Sequence, residues 1–378
     1  MKNALLDYVN EQNIGIRKTW DELHRIPELG FKEKRTSSYL LERLKNAGYS
    51  VKSGLAQTGI ISVLRSDNPG PTVGLRADMD ALCHEVDGRK AVIHSCGHDA
   101  NCTMVLTAAE AIAACGGPKR GTLKIIFQPA EETLDGAKEI IKTGEIGNLD
   151  YLVGIHLRPK EELSFGQVTP SIRHGASGIM KAKIKGVQAH GARPHQGVNA
   201  VEAAAYAILG VNQIKLNPQI PHSIKATMIK GGNGAFNVIP DSVNLAFDLR
   251  AQTNLLMEEL KKKAVHMLEI AADSISAQID VKWKGGVPAA QDSDELIELA
   301  NEAIWQVLGP TGLQKPLITS GGEDFHQYAL AIKDLKTTVI GVGADLSPGL
   351  HHPEMTFNLD ALSIGTKVLI LMLNKLLI

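Results

Sequence analysis

Residues 178–186 read GIMKAKIKG, and from Met180 to Lys185 apolar side chains alternate with lysines. A period of two with one wet face is the pattern of a strand in an antiparallel sheet. Working forward, NAVEAAAYAILGVNQI (199–214) is an Ala-rich helix, and SIKATMIKGG (223–232) and VNLAFDLRAQ (243–252) are strands. LMEELKKKAVHMLEIAADSI (256–275) is a helix, and AQIDVKWKGG (277–286) closes the set as a strand. The order βαββαβ is ferredoxin-like. It predicts a self-contained domain over 176–287, inserted into a larger one.

Outward from this insert the texture changes. LLDYVNEQNIGIRKTWDELHRIP (5–27) predicts one helix ended by Pro27, and KEKRTSSYLLERLKNAG (32–48) a second that stops at Gly48. Strand-like runs follow at GIISVLRS (59–66), TVGLRAD (72–78), TLKIIFQ (122–128) and YLVGIHL (151–157), with a helix over 102–115 and another over 135–143. After Pro288 come the helix DELIELANEAIWQVL (294–308), the strand TTVIGVG (337–343) and a final helix. Alternating strands and helices predict an α/β fold, a sheet flanked by helices. The divided catalytic domain then comprises 1–175 and 288–378, consistent with two or three domains at ~150 residues each.

The 40 Lys+Arg against 41 Asp+Glu leave a formal net charge of -1. That balance argues against a nucleic-acid or anionic-membrane partner, because such surfaces need a concentrated basic field. Aromatics at 4% are too few for base-stacking platforms. Cys83, Cys96, Cys102 and Cys115 crowd into one stretch of a long chain, which fits reduced thiols or a thiolate ligand better than a disulfide framework. MKNALLDYVNEQNIG lacks the apolar core of a signal peptide, and Lys367 and Lys375 interrupt the most apolar segment, so the expectation is a cytoplasmic protein without a membrane span.

Four segments place metal-ligand residue types at the ends of predicted strands, the edge where open α/β sheets put their sites. HSCGHDAN (94–101) offers Cys96, His98 and Asp99. A thiolate and an imidazole two residues apart can share one divalent ion, although a buried thiol beside a surface His reads the same way. FQPAEET (127–133) offers Glu131 and Glu132. Adjacent acids are common at helix starts; here one could bind metal while its neighbour moves a proton. VGIHLRP (153–159) carries His156 at a strand end, and PGLHHPEMTF (348–357) carries His351 and His352 on a Gly/Pro loop. Together they supply one thiolate, one carboxylate and imidazoles enough for one or two ions with a position left for water.

LHRIPELGF (23–31), RADMDAL (76–82), CGHD (96–99), FQPAEE (127–132), GIHLRP (154–159), AHGARPH (189–195), NVIP (237–240) and LHHP (350–353) together resemble the amidohydrolase branch of the aminoacylase-type metallopeptidases. That branch includes hippurate hydrolases, auxin-conjugate hydrolases and N-acetyl-diaminopimelate deacetylases. The resemblance implies a metallopeptidase-type mixed sheet with the insert as a lid and dimerisation domain. It implies one or two divalent ions, with zinc foremost and manganese, cobalt or nickel as alternatives, held by Cys96, His98, Glu132, His156 and His351. Glu131 inherits the role of general acid/base, and Asp80 is expected to orient a metal-binding His. His352 stands at a non-ligand position. His190 matches a lid His that reaches the substrate carbonyl, often from the other subunit of a homodimer, and Asn237 and Arg250 match positions lining the substrate pocket. Arg250 could pair with a substrate carboxylate, or be a surface Arg on a strand. Glu323 and Asp324 of GGEDF match a motif at the pocket wall.

The implied activity is hydrolysis of small N-acyl amino acids to a carboxylic acid and an amino acid. A dipeptidase or carboxypeptidase using the same cleft is the alternative within enzymes, and a binding homologue without turnover the alternative outside them. A serine hydrolase is disfavoured, since no G-x-S-x-G elbow occurs. The sequence departs from the family at Ala100-Asn101, where x-His is usual, and at Cys83, where Pro is usual.

Overall fold

The computed structural model describes residues 2–232 and 234–378. The chain divides into two compact units. One comprises Met1–Arg173, Gln291–Ile318 and Asp324–Ile378, and the other His174–Ala290 with Thr319–Glu323.

The first unit is a mixed α/β layer structure. Helices α1 (Lys2–Glu11), α2 (Asn13–His24) and α3 (Lys34–Asn46) precede a seven-stranded sheet. Its strands are β1 (Ser50–Leu55), β2 (Gly59–Arg65), β3 (Thr72–Asp78), β6 (Thr122–Gln128), β7 (Tyr151–Pro159), β8 (Val168–Thr169) and β17 (Lys336–Leu346), in the order β1-β2-β6-β3-β7-β17-β8. Four adjacent strands, β6, β3, β7 and β17, run parallel, with Leu75 opposite both Ile125 and Val153, and Ile340 opposite Ile155. Parallel strands are covered on both faces, which is why TLKIIFQ and YLVGIHL read as near-continuous apolar runs. Shared direction puts the loops after β3 and β6, the end of β7 and the loop after β17 along one edge.

Helix α4 (His98–Ala114) is buried on almost every side, which explains its all-round Ala, Met and Leu composition. Helices α5 (Gly136–Lys142), α8 (Asp294–Gly312), α9 (Gln327–Ala331) and α10 (Asp360–Leu377) complete the covering layers. At Gly365 a Cβ would fall 2.2 Å from Met104 Sδ, so glycine here lets α10 pack on the Met104 side chain of α4 without displacing it.

One local expectation differs from the structure, and one stretch without a predicted element forms strands. The single N-terminal helix turns at Gln12 (ψ 9°) and becomes α1 and α2, and α2 ends at His24, just ahead of Ile26, whose helical geometry Pro27 disfavours. The stretch after Cys83 folds as a hairpin, β4 (Leu82–Val86) and β5 (Arg89–Ile93), whose turn residues Asp87 and Gly88 have φ of 51° and 72°. Positive φ at both central residues is the type I′ signature, and Asp-Gly suits it.

The second unit carries a four-stranded antiparallel sheet of β10 (Ala176–Lys185), β12 (His222–Gly231), β14 (Ser242–Ala251) and β15 (Gln278–Val287), in the order β12-β14-β10-β15. Helices α6 (Ala200–Val211) and α7 (Asn254–Asp273) cover one face, burying Met180, Ile184, Leu245 and Phe247. Asn199 and Thr253 cap these helices by accepting from the N–H groups of Val201 and Leu256. Short strands β11 (Ala189–His190) and β13 (Val238–Ile239) pair with each other; β9 (Ile172–His174) and β16 (Leu317–Thr319) are the remaining short segments.

Candidate metal centre

The loops at the parallel edge of the first unit bring five side chains together. Donor atoms of Cys96, His98 and His156 all lie within 4.8 Å of one another, and so do those of Cys96, Glu132 and His351. Cys96 Sγ is 3.6 Å from His156 Nε2, and Glu132 Oε1 is 3.3 Å from His351 Nε2 and 3.9 Å from His98 Nε2. Glu131 joins a third such group with His98 and Glu132.

Backbone geometry makes this convergence. Gly97 in the left-handed region (φ 81°) lets the chain turn from Cys96 directly into α4, so His98 occupies its first position. Ala130 is also left-handed (φ 54°), and the turn it makes after β6 starts the short helix Glu131–Thr133 and sends the two adjacent acids in different directions. His351 (φ 66°) is held by its N–H donating to the Ser95 carbonyl, one residue before Cys96.

A second layer fixes the orientation of each group. His98 Nδ1–H donates to the backbone carbonyl of Asp80 at 2.9 Å and to its Oδ1 at 3.2 Å, while Asp80 Oδ2 accepts from the Glu132 N–H at 3.0 Å. One buried carboxylate thus aims two of the convergent residues. His156 Nδ1–H donates to the Leu157 carbonyl at 2.7 Å, which leaves Nε2 directed at Cys96. Glu131 Oε1 accepts from the Asp324 N–H at 3.4 Å. Beneath lies a network in which Arg76 pairs with Asp78 at 2.8 Å and with Asp324 at 2.7 Å, and Gln128 donates to Asp324.

Some of these residues escaped the sequence reading. Arg76 and Asp78 are the first and third residues of the RADMDAL motif, yet nothing local told an anchor from a ligand. His24 and Glu33 lie in or beside LHRIPELGF. His24 pairs with Asp99 at 2.7 Å at the start of α4, and buried Glu33 accepts from the Ala130 N–H at 2.8 Å and the Thr58 hydroxyl at 2.6 Å. Asn101, at the place of a usual His, donates to Asp78 Oδ1 at 2.9 Å. Cys83 is exposed on the β4–β5 hairpin, and exposed His352 accepts from the Glu354 N–H.

The electrostatics describe a site waiting for positive charge. Burial pushes the Cys96 thiol up to about 12, and burial lowers His156 to about 4, so its imidazole is neutral. Burial opposes charge on His98, but Asp78, Cys96 and Asp80 outweigh it and hold its pKa well above the usual value. The Glu132 carboxylate beside it raises His351. Burial works against ionised Glu132, yet His351 and His98 bring its pKa below the ordinary carboxylate value.

Two buried atoms, His98 Nε2 and Glu132 Oε1, have no hydrogen-bond partner among the described residues although both face the cluster. Orphaned buried polar atoms are costly and uncommon. A cation answers both at once, and a set of thiolate, imidazole and carboxylate suits zinc or a similar divalent ion. The residues present therefore fit a metal.

His190, Asn237 and Arg250 belong to the second unit. Exposed His190 lies on β11, its Nδ1 accepting from the Ala192 N–H, and the Gly191 N–H donates to the Asn237 carbonyl at 2.8 Å, so AHGARPH and NVIP are neighbours. Arg250 on β14 makes a two-point pair with Asp248 (3.1 and 3.2 Å) and lines a cavity of about 500 Å³ with His222, Ser223, Gln252 and Ser320.

Comparison with known proteins adds three likenesses and a family. The model of Peptidase family M20/M25/M40 matches residues 74–375. The chain is 28% identical to the N-acetyl-L-cysteine deacetylase of Bacillus subtilis (strain 168), covering 94% of this chain and 86% of that protein. It is 31% identical to the IAA-amino acid hydrolase ILR1-like 4 of Arabidopsis thaliana, covering 97% and 85%. The crystal structure of a putative aminohydrolase from methicillin-resistant Staphylococcus aureus superposes over 100% of both chains with a TM-score of 0.91 at 26% identity.

Proposed function

The chain belongs to the M20/M25/M40 peptidase family, and from that premise we propose that it is a metal-dependent amidohydrolase cleaving the amide bond of small N-acyl amino acids. The observation that carries this reading is the convergence of Cys96, His98, Glu132, His156 and His351, with Glu131 beside them. Deacetylation of an N-acyl amino acid and hydrolysis of an IAA-amino acid conjugate, the activities named for two relatives, share one bond type.

Cys96, His98, Glu132, His156 and His351 would hold the metal, and the Cys96 thiolate would be the ligand shared if two ions bind. Zinc is the first choice for this donor set, with manganese, cobalt and nickel as the alternatives to test. When bound, the ions supply Lewis acidity to the scissile carbonyl and to a water. Glu131 takes a proton from that water as its oxygen bonds to the carbonyl carbon. It passes the proton to the amide nitrogen as the C–N bond breaks, so the products are a carboxylic acid and an amino acid. His190 is assigned as the donor to the carbonyl oxygen, and Asn237 and Arg250 as substrate contacts, Arg250 for the free carboxylate.

The reading includes a homodimer through the second unit as lid, whose edge strand β12 leaves Met228 and Ile229 exposed. It places the enzyme in the cytoplasm, in keeping with four free cysteines; no helix among the described residues is long and apolar enough to cross a membrane.

The test is a panel of N-acyl amino acids and dipeptides, offered to stripped protein reloaded separately with Zn, Mn, Co or Ni. N-acyl amino acids should be cleaved faster than dipeptides. Glu131→Gln should lower kcat by about 10²- to 10⁴-fold with metal content unchanged; near-normal turnover in that variant rejects the assignment.

A further inference from the structure

The sheet of the second unit has helices on one face only. On its uncovered face, the central strand β10 points Lys181, Lys183 and Lys185 outward in register. Across one side, Lys181 stands directly opposite Lys282 and Ile179 opposite Lys284 on β15. Across the other, the paired strands β14 and β12 add Lys225 and Lys230, opposite Asp248 and Asn244. The carboxylates on this face are Asp248, engaged by Arg250, and Asp280, 3.5 Å from Lys282. Among the described residues, Lys181, Lys183, Lys185, Lys225, Lys230 and Lys284 form no ion pair. A strongly cationic face thus sits on a chain of formal net charge -1.

Fold stability does not account for it. Like charges directly opposite one another, as at Lys181 and Lys282, weaken a sheet. Lysines that block aggregation are placed on edge strands, whereas β10 lies between β14 and β15. The face also leads somewhere. Arg250 and Ser223 project from it, opposite each other, and both line the 500 Å³ cavity at its end.

We propose that this face is an electrostatic collecting surface for small carboxylate-bearing substrates, drawing them toward the Arg250 cavity. The proposal rests on the reading of the protein as a hydrolase of N-acyl amino acids, which carry one free carboxylate. A surface of one sign of charge raises the local concentration and encounter rate of the opposite sign, an effect that reaches about 10- to 10³-fold in clefts and falls at the low end on an open face. Lysine suits this task, since it acts as a mobile point charge and imposes no fixed two-point geometry.

The experiment compares wild type with the triple variant Lys181→Gln/Lys183→Gln/Lys185→Gln, both metal-loaded, on an N-acetyl amino acid and on its carboxamide. In wild type, kcat/KM for the carboxylate should fall about tenfold between about 0.01 M and 0.15 M salt, as the Debye length shrinks from about 30 Å to about 8 Å, with kcat unchanged. The carboxamide should show no such slope. The triple variant should lose most of the slope and, at low salt, match wild type at high salt, with Tm unchanged. An undiminished slope in the variant, or an equal slope for the carboxamide, overturns the proposal. Calorimetric binding of the same acid at the two salts decides it independently of turnover. A wild type that binds with this salt dependence yet cleaves no amide leaves the collecting surface standing and rejects only the activity, whereas identical binding by wild type and variant at low salt rejects the surface.

Discussion

Asp80 offers the sharpest single test of how the centre is held. Its carboxylate is buried and aims two convergent residues, His98 through Oδ1 at 3.2 Å and Glu132 through Oδ2 at 3.0 Å. Asp80→Ala removes both acceptors. The consequences differ, because His98 Nδ1–H keeps the Asp80 backbone carbonyl at 2.9 Å. Among the described residues the Glu132 N–H has no second acceptor, and a buried donor left unpaired costs about 1–3 kcal/mol. Loss of such outer partners typically weakens metal binding about 10- to 100-fold, which is about 1.4–2.8 kcal/mol at 1.4 kcal/mol per decade. Asp80→Asn keeps one carbonyl oxygen, enough for the Glu132 N–H, and should fall between wild type and Ala. Competition against a chromophoric chelator measures the affinity, with the Tm of the stripped protein as the control for folding. Binding by Asp80→Ala within about threefold of wild type would refute the orienting role and the geometry argued from it.

Metal uptake should release protons. Cys96 holds its proton up to about 12 and His98 well above the usual imidazole value, so at pH 7 both must lose one to bind, while His156, at about 4, has none to lose. Calorimetry in buffers of different ionisation enthalpy should show about two protons released per chain and binding that tightens as pH rises; zero release contradicts this. Glu33→Ala should lower kcat about tenfold by freeing the turn at Ala130 that carries Glu131, with metal affinity kept, and Glu33→Gln should restore it, since its amide can still accept from the Ala130 N–H and donate to the Thr58 hydroxyl; equal kcat in all three proteins removes the positioning role. Burial, then its hydrogen bond to Glu22, raises Tyr39 to about 12. The folded state therefore keeps this phenol neutral longer than the unfolded chain does. That contribution to stability is complete below pH 10 and lost as pH rises from 10 to 12. Tyr39→Phe should flatten the fall in urea midpoint over that window, and an unchanged slope would count against it.

Much of the chemistry was written locally. CGHD, PAEE, GIH and LHHP could be recognised because ligand types and their turn-forming neighbours lie within a few residues of one another. The alternating Met180–Lys185 run announced a half-wet strand for the same reason. Tertiary structure decided the rest. Asp80 meets Glu132 from 52 residues away, and Glu33 reaches Ala130 across 97. No periodicity encodes such pairs, because period reports which face a side chain takes and not what the fold later sets against it. Asn101 shows the same limit. Read alone it was a missing imidazole, whereas in the fold it is a donor to Asp78. The cationic face likewise vanished in a near-neutral total, since composition adds charges without placing them. Local side-chain chemistry settles which residues are able to act, and the direction and register of the strands settle which of them meet.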